Sequence, residues 1–451
     1  MAASPLSSTP ADAISGAARV SPSLPESYRS IPIVVGASFF RKMIAFAGPG
    51  YLIAVGYMDP GNWATDLGGG SRFGYTLLSA VMISSLMAIF LQALSAKLGI
   101  ATGRDLAQAC REHYSRRTTA VLWVLCEIAI AACDLAEVLG SAVALKLLFG
   151  LPLLAGVLLT GADVLLVLAL QGRGFRVLEA LVITLIATIG GCFAYEIFFA
   201  RPLWIEAAHG FLPTAAIFQD REMLYLAIGI LGATVMPHNL YLHSSIVQTR
   251  AFTESSEGKR EAIRFATLDS TLALGFSLFI NAAILVLGAS AFHVRGMTGV
   301  ADISQAYQLL TPVLGASFAS VLFAAALLCS GQNSTLTGTL AGQIVMEGFL
   351  HWRLKPWLRR LVTRSLAIIP AAIVIGLMGE GRVTSLLILS QVILSFQLPF
   401  AVVPLIQFTS DRAKMGEFTN GRVTAIFGWV MAVAIILLNA ALLWLTFGGK
   451  L

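Results

Sequence analysis

The sequence is 451 residues long, with 57% hydrophobic residues, 12% charged residues and a formal net charge of +6. So few charges in so apolar a chain exclude an ordinary soluble protein and indicate an integral membrane protein. With the N-terminus in the cytoplasm, most of the 30 Lys and Arg residues fall in cytoplasmic segments, which is the distribution that sets membrane orientation. We therefore attribute the net charge to topology and expect no nucleic-acid partner.

In chain order, apolar stretches of about 18 residues or more predict eleven transmembrane helices. The first and sixth are broken, the eighth has a possible internal break, and the longest polar connection is 200–222. The predicted helices cover roughly 43–72, 75–96, 119–147, 151–170, 177–199, 223–248, 266–290, 307–348, 361–379, 383–408 and 423–446. The expected fold class is an all-α integral membrane protein without a soluble domain.

Residues 1–40 are rich in Ser, Pro and Ala and have no apolar core long enough for a signal peptide. We expect a disordered cytoplasmic tail there, with a transit peptide as the alternative, and a transporter domain over 41–449. The five cysteines show no C-x-x-C pairing, so they predict neither a disulfide framework nor a metal site.

Two similar tetrapeptides, DPGN at 59–62 and MPHN at 236–239, interrupt membrane-spanning stretches. Proline removes a backbone donor and clashes with the preceding turn, so the helices should open at Pro60, Gly61 and Pro237. Five helices begin with each break, so the two halves should run in opposite directions. This arrangement is typical of an inverted-repeat transporter with its site near the membrane midplane. Repeat one should cover about 41–200 and repeat two about 221–408, with helix eleven outside them at about 423–446. Simple kinks are the alternative, but they do not explain a carboxylate at membrane depth.

The residues at the breaks form a mixed set of metal donors. Asp59 offers a carboxylate and Asn62 an amide, while opening at the second break frees the Ala233 carbonyl. Met236 adds a thioether, and Gln391 on the tenth helix is a possible further oxygen ligand. Oxygen donors alone suit Mg²⁺ or Ca²⁺, whereas a thioether favours softer transition metals. The set therefore predicts a site for Mn²⁺, Fe²⁺ or a similar ion.

Three acids on the third helix form a second constellation. Glu127, Asp134 and Glu137 are spaced by seven and three residues, which places them on one helix face. Such chains of acids mark proton relays in membrane proteins, and His238 beside the second break is able to exchange protons. The alternative is a structural polar network between helices. Two basic residues begin the ninth helix and are more typical of interfacial anchors: Arg359 and Arg360.

Five segments resemble the Nramp family of divalent metal transporters, and the bacterial proton-coupled manganese transporters within it in particular. They are YMDPGNWATDL (57–67), CDLAEVLG (133–140), GATVMPHNLYLHSS (232–245), GQNSTLTGTLAGQIVMEGF (331–349) and SQVILSFQLPFA (390–401). The resemblance covers about residues 40–446. It implies a LeuT-type core of two inverted five-helix repeats, with helices 1 and 6 unwound, plus an eleventh helix.

The resemblance also implies roles for individual residues. Asp59, Asn62, Met236 and the Ala233 carbonyl would bind the metal, with Gln391 joining in some conformations. Proton transfer would involve a chain of polar residues: Asp59, His238, Asp134 and Glu137, with Glu127, Arg359 and Arg360 further along. Relatives that move Mg²⁺ lack the methionine that this chain carries at the second break.

The sequence thus predicts a symporter that imports chiefly Mn²⁺, and also Fe²⁺, together with protons by alternating access. A passive divalent uniporter or channel, a sodium-coupled amino-acid carrier and an intramembrane enzyme are the alternatives. No P-loop motif is present, so we expect no nucleotide partner and no resident cofactor. The expected partners are divalent metal ions, protons and the lipid bilayer, and the expected state is a monomer. The expected location is a bacterial inner membrane with the N-terminus in the cytoplasm.

Overall fold

The computed structural model describes residues 22–33, 36–162, 174–300, 302–350 and 355–446, which are almost entirely helical. In the first half, these residues form eight helices: α1 (Phe39–Phe46), α2 (Pro49–Gly56), α3 (Pro60–Phe73), α4 (Leu78–Thr102), α5 (Leu106–His113), α6 (Arg116–Phe149), α7 (Leu153–Leu159) and α8 (Phe175–Ala200).

The connection between the halves holds two short helices, and the second half follows with the same order of a broken helix before long ones. These are α9 (Trp204–Gly210), α10 (Ala216–Gln219), α11 (Arg221–Thr234), α12 (Pro237–Ile246), α13 (Ser256–Ala291), α14 (Ile303–Leu314), α15 (Ala319–Leu350), α16 (Pro356–Met378), α17 (Val383–Thr409), α18 (Arg412–Met415) and α19 (Arg422–Thr446).

Within the described ranges, eight helical segments are long and apolar enough to cross a membrane, so the chain is a multi-span membrane protein. Two expected spans are missing from these eight segments because they are interrupted or polar. The first is divided into α1, α2 and α3, and α15 carries a polar middle, residues 331–339. Of the fourth expected span, 151–170, only α7 and a short turn at 160–162 lie within the described residues.

The broken helices form the centre of the molecule. Almost every residue of α2, α3 and α12 is buried, although these segments hold Asp, Asn, His and Gly. By contrast, α16 and α19 expose large apolar side chains, such as Leu377 and Val423, each 82% exposed. Apolar side chains facing outward are expected where lipid is the solvent, so the polar residues of the core must face one another.

Two of the predicted helices are divided. The eighth, 307–348, has the internal break that the sequence left possible, because α14 ends in a left-handed glycine cap at Gly315 (φ 65°) before α15 begins. The first helix has an additional break at Gly48 (φ 143°), directly before Pro49. A side chain is excluded there, since a Cβ on Gly48 would lie 2.2 Å from Glu179 Oε1.

The expectation of a disordered tail over 1–40 does not hold for the described part of that segment. Ser23 and Leu24 are buried, and residues 25–29 form turns. The short strand β1 (Ile31–Pro32) pairs in parallel with β2 (Arg250–Ala251), which follows α12. Composition missed this because the ordering contacts come from distant residues rather than from local propensity.

Candidate metal site at the two helix breaks

The first break places Asp59 at the start of α3. After α2 ends at Gly56, the Asp59 side chain caps α3 by accepting a hydrogen bond from Asn62 N at 2.8 Å. Pro60 occupies the first helical position, where its missing N–H costs nothing. The sequence D-P-G-N is therefore a helix start inside the core, and it directs the carboxylate back toward the gap between α2 and α3.

The second break frees the carbonyl that the sequence predicted. The helix α11 ends at Thr234, Val235 and Met236 leave helical geometry, and α12 begins at Pro237. Since proline has no N–H, the carbonyl of Ala233 has no helical donor four residues on, and it accepts instead from Asn62 Nδ2 at 3.1 Å. The two breaks are thus joined directly across the repeats.

Asn62 and Gln391 connect the donor atoms around Asp59. Asn62 Nδ2 also donates to Asp59 Oδ1 at 2.7 Å, and Gln391 Nε2 donates to Asp59 Oδ2 at 3.3 Å. Gln391 also packs closely on Gly61, because a Cβ there would lie 1.6 Å from Gln391 Nε2 and would displace this side chain. The predicted ligand residues Asp59, Asn62, Ala233 and Gln391 are all 0% exposed.

The Met236 sulfur, the predicted ligand from the second repeat, lies beside the end of α2. It is 0% exposed and lies in an apolar cluster with Ala129, Cys133 and Leu394. The sulfur also accepts a weak hydrogen bond from Asn239 Nδ2 at 3.7 Å. A Cβ on Gly56 would lie 3.1 Å from this sulfur, so the end of α2 packs directly against the methionine.

The chemistry of this set is mixed. It offers one carboxylate, two side-chain amides, one main-chain carbonyl and one thioether. Throughout the described ranges, no cluster of three or more His, Cys, Asp and Glu residues could hold a metal ion. A cation in this core would therefore be held by one formal negative charge and by neutral dipoles. Such a site neutralises a divalent ion only in part, which is consistent with release after binding.

The acids of α6 lie on one face, as their spacing predicted, and meet arginines of α16. Glu137 accepts hydrogen bonds from Ser334 Oγ at 2.8 Å and Thr335 Oγ1 at 3.0 Å. Arg364 Nη1 lies 3.3 Å from both Asp134 Oδ1 and Glu137 Oε2, and its side chain is 1% exposed. Sequence reasoning did not single out Arg364. It could have been found, because it lies one turn deeper in α16 than Arg359 and Arg360, where a charged side chain needs a partner.

The outer members of the predicted proton pathway are placed separately. Arg359 Nη2 lies 3.3 Å from Glu127 Oε1, which also accepts from Trp123 Nε1 at 3.0 Å. Arg359 is thus a buried partner of an acid rather than an interfacial anchor. The side chain of Arg360 lies outside the described set. The acids of α6 are therefore paired with arginines at two levels along α16.

His238 is 1% exposed, and its Nδ1 atom has no hydrogen-bond partner among the described residues. One turn further along α12, His243 Nδ1 lies 3.0 Å from Gln92 Oε1, while Gln92 Nε2 donates to Tyr57 Oη at 2.6 Å. These three buried side chains join the end of α2 to α4 and α12.

Asn281 of α13 is a further site residue that sequence reasoning missed. Its Nδ2 donates to Tyr57 O at 2.8 Å and to Asn62 Oδ1 at 3.3 Å, while its own Oδ1 has no partner among the described residues. The signal was an isolated amide in the apolar run LFINAAILVLG (278–288). Its contact with Asn62 places it behind the predicted ligands.

Comparison with known proteins identifies the family of this chain. A sequence model of the Nramp family, described as natural resistance-associated macrophage protein-like, matches residues 50–445. The chain belongs to the Nramp family. The divalent metal cation transporter MntH of Nostoc sp. is 62% identical over 422 residues, covering 94% of this chain and 96% of that relative. MntH of Bradyrhizobium diazoefficiens is 59% identical over 421 residues, covering 93% and 94%. These relatives are named as transporters, which is a non-enzymatic role.

Solved structures confirm the fold class. The Eremococcus coleocola manganese transporter superposes with a TM-score of 0.87 at 41% identity, covering 95% of this chain and 93% of that one. Mhp1, a nucleobase-cation-symport-1 transporter, gives 0.58 at 14% identity, covering 88% and 92%. MhsT gives 0.52 at 13% identity, covering 89% and 98%. The latter two likenesses concern the fold alone, and they agree with the LeuT-type inverted-repeat architecture expected for an Nramp protein.

Proposed function

We propose that this Nramp protein is a proton-coupled symporter that imports divalent transition metals, chiefly Mn²⁺ and also Fe²⁺. The main support is the fully buried group of candidate metal ligands at the two breaks, in which Asn62 bridges Asp59 and the Ala233 carbonyl. The relatives' names supply the substrate class, since they are called divalent metal cation or manganese transporters.

Selection among cations would depend on Met236. The hard oxygens of Asp59 and Asn62 bind Mg²⁺ and Ca²⁺ as readily as Mn²⁺, and the alkaline-earth ions prefer such ligands. A thioether gives these ions little, but it interacts favourably with Mn²⁺ or Fe²⁺. The sulfur packs against its apolar neighbours Cys133 and Leu394, which hold it in place, so water cannot easily replace it as a ligand.

Protons would move through the polar groups between α6 and α16. Asp59 precedes Pro60, which packs against Gly140 of α6, while Asp134 and Glu137 on the same helix share Arg364. A buried acid with an arginine partner can change its protonation state when that partner moves, which links proton release to helix movement. His238 beside Met236 is the other candidate group, because its Nδ1 is buried without a partner among the described residues.

Alternating access would rock the half-helices around the breaks, as in other inverted-repeat transporters. The positive-inside distribution supports a cytoplasmic N-terminus, so metal would leave on the side where α1 begins and α12 ends. The bacterial relatives support an inner-membrane location. The layer of Tyr57, Gln92 and His243 would then separate the metal site from the cytoplasm.

The experiment is a transport assay with the purified full chain in liposomes, in which Mn²⁺ uptake and internal pH are followed together. Symport predicts Mn²⁺ uptake with acidification, and uptake driven by an imposed inward proton gradient. Uptake without acidification would identify a passive uniporter instead. Absence of Mn²⁺ and Fe²⁺ uptake in vesicles that contain folded protein would refute the assignment.

Asp59→Ala is the matched negative variant, because it removes the only formal charge among the proposed ligands. It should abolish uptake while the protein keeps its helical content and its elution volume on gel filtration. Asp220→Ala is the control, since this residue caps α11 outside the core and is exposed. Equal loss in both variants would indicate a general defect rather than a lost metal ligand.

A further inference from the structure

Residues 22–33, which we call the strap, lie across the side of the molecule on which α1 begins. Ser23 and Leu24 are only 4% and 7% exposed, although they precede the first helix by fifteen residues. A solvated tail would leave both side chains in water. The strap is therefore held by specific contacts, and these fall at its two ends.

The first anchor joins the strap to Asp105. Ser23 Oγ donates to Asp105 Oδ2, while Asp105 Oδ1 caps α5 by accepting from Gln108 N at 2.9 Å. The next residue, Leu106, donates its N–H to Ser244 Oγ of α12 at 2.9 Å. The first anchor thus lies where a helix of the first repeat meets the half-helix α12 of the second.

The same carboxyl also faces α15, since a Cβ on Gly348 would lie 3.0 Å from Asp105 Oδ1. Burial raises the pKa of the Asp105 carboxyl to about 6, and the hydrogen bonds from Ser23 and Gln108 and the charge of Arg111 act in the opposite direction. Asp105 is 1% exposed. This anchor therefore requires α5, α12, α15 and the strap to stay together.

The second anchor joins the strap to the segment after α12. Arg29 N donates to Gln248 O at 3.0 Å, and its guanidinium donates to Phe252 O at 2.6 Å and pairs with Glu254. Ile31 then pairs with Arg250 in the two-stranded sheet. Arg29 has φ 51°, a left-handed conformation that costs about 1–2 kcal/mol for a non-glycine residue. Such a conformation persists only where the surrounding contacts impose it.

Between its anchors the strap covers a cavity of about 310 Å³. The strap contributes Leu24 and Ser27, the first repeat contributes Phe175 and Leu178 of α8, and the second contributes Leu340 and Gln343 of α15. One short segment therefore contacts both repeats on the side through which metal would leave.

We propose that the strap is a latch that holds this side closed and must release at least one anchor before metal can leave. The proposal rests on the proposed function and on the cytoplasmic N-terminus. Its physical basis is that the strap binds two repeats whose separation opens the pathway. Contacts present in only one of two states stabilise that state by their full free energy. Loss of the latch should therefore raise the population that is open on this side.

The test is hydrogen–deuterium exchange, followed by mass spectrometry, on the full chain in lipid nanodiscs without metal. The variants are Ser23→Ala, Arg29→Gly and their combination. Glycine at position 29 keeps the left-handed backbone while removing the guanidinium contacts. Glu26→Gln is the control, because this side chain lies in the same turn and is exposed. We expect about tenfold faster exchange of the α12 peptide, residues 237–246, in the double variant, as for loss of hydrogen bonds to charged groups. The control should match the wild type.

Faster exchange in the strap with unchanged exchange in α12 would show that the strap is passive and would overturn the proposal. Equal exchange in all variants, or a strap that exchanges at the rate of an unstructured peptide in the wild type, would overturn it as well. If the combined variant does not fold, Ser23→Ala alone carries the comparison, with the same readout. Because the measurement needs no transport, a protein that fails to carry Mn²⁺ but shows the α12 effect would refute the proposed function and leave the latch standing.

Discussion

Replacing Arg364 with methionine tests whether the α6–α16 contacts are a coupled charge network. Methionine approximates the length of the side chain but removes the cation that lies 3.3 Å from both Asp134 and Glu137. The three side chains are 1%, 3% and 0% exposed, so water cannot replace the lost partner without local opening. Glu137 would keep the hydrogen bonds from Ser334 and Thr335, whereas Asp134 would lose its arginine.

Removing one partner of a buried ion pair typically costs about 3–5 kcal/mol, because the remaining charge is left unpaired in a low dielectric. Two acids share Arg364, so we expect the upper part of that range. Adding Glu137→Gln to Arg364→Met should recover part of the stability, because it removes one of the two unpaired charges.

The assay is thermal unfolding in detergent, followed by tryptophan fluorescence. Arg364→Met should lower the melting temperature, and the double variant should lie between it and the wild type. Arg260→Met is the matched control, since that side chain is 67% exposed and its pair with Glu417 is screened by solvent. A loss as small as that of the control, or a double variant less stable than the single one, would refute the charge argument.

Three further predictions concern selectivity, coupling and pH. Met236→Ala should retain weak Mn²⁺ uptake and lose at least about tenfold of its discrimination against Ca²⁺, as expected when a soft ligand is removed. Competition between Mn²⁺ and Ca²⁺ for uptake measures this, with Met87→Ala in α4 as the control. Unchanged discrimination would contradict the role of the sulfur. Glu137→Gln should reduce the number of protons taken up per Mn²⁺ in liposomes. Glu196 is a buried acid on α8 outside the α6–α16 contacts, so Glu196→Gln should leave this ratio unchanged. Equal proton-to-Mn²⁺ ratios in the two variants would exclude Glu137 from the pathway. Burial raises the pKa of Asp105 to about 6 from an ordinary 3.8, so its stabilising contribution is complete below about pH 4 and is lost as the pH rises through 6. Asp105→Asn, which keeps the helix cap, should flatten this part of the melting-temperature profile, and an unchanged profile would contradict the assignment.

The sequence was most informative where proline and charge coincide. Pro60 and Pro237 begin helices at the predicted positions, because a residue without an N–H cannot continue the preceding helix. The freed carbonyl of Ala233 follows from the same fact, and the structure pairs it with Asn62. Asp59 could be singled out because a carboxylate at membrane depth needs a reason. These arguments are local, so they need no knowledge of the fold.

What the sequence could not supply are choices among equivalent residues. Three arginines lie near the start of α16, and only packing shows that Arg364 reaches Asp134 and Glu137 while Arg359 reaches Glu127. The strap was missed for a related reason, since its order depends on residues about 80 to 220 positions away in the chain, as with Ser23 and Asp105. Hydrophobic periodicity also left the break between α14 and α15 only a possibility, because it does not register a left-handed cap between two apolar helices.

The orientation of two amides determines how a cation could enter the site. Asp59 accepts N–H groups at both carboxylate oxygens, from Asn62 at Oδ1 and from Gln391 at Oδ2. A cation bound to Asp59 would be repelled by these donors, so both amides must turn to present oxygen. The turned Asn62 amide would point its Nδ2 at the Asn281 amide, whose Nδ2 now donates to Asn62 Oδ1. Asn281 must therefore turn as well and accept with its Oδ1, which has no partner among the described residues. Asn281→Leu should therefore weaken Mn²⁺ binding by about tenfold, the effect of one unsatisfied buried amide, while Asn281→Gln should retain part of it. Calorimetric titration of Mn²⁺ measures both, and wild-type affinity in Asn281→Leu would show that Asn62 does not turn.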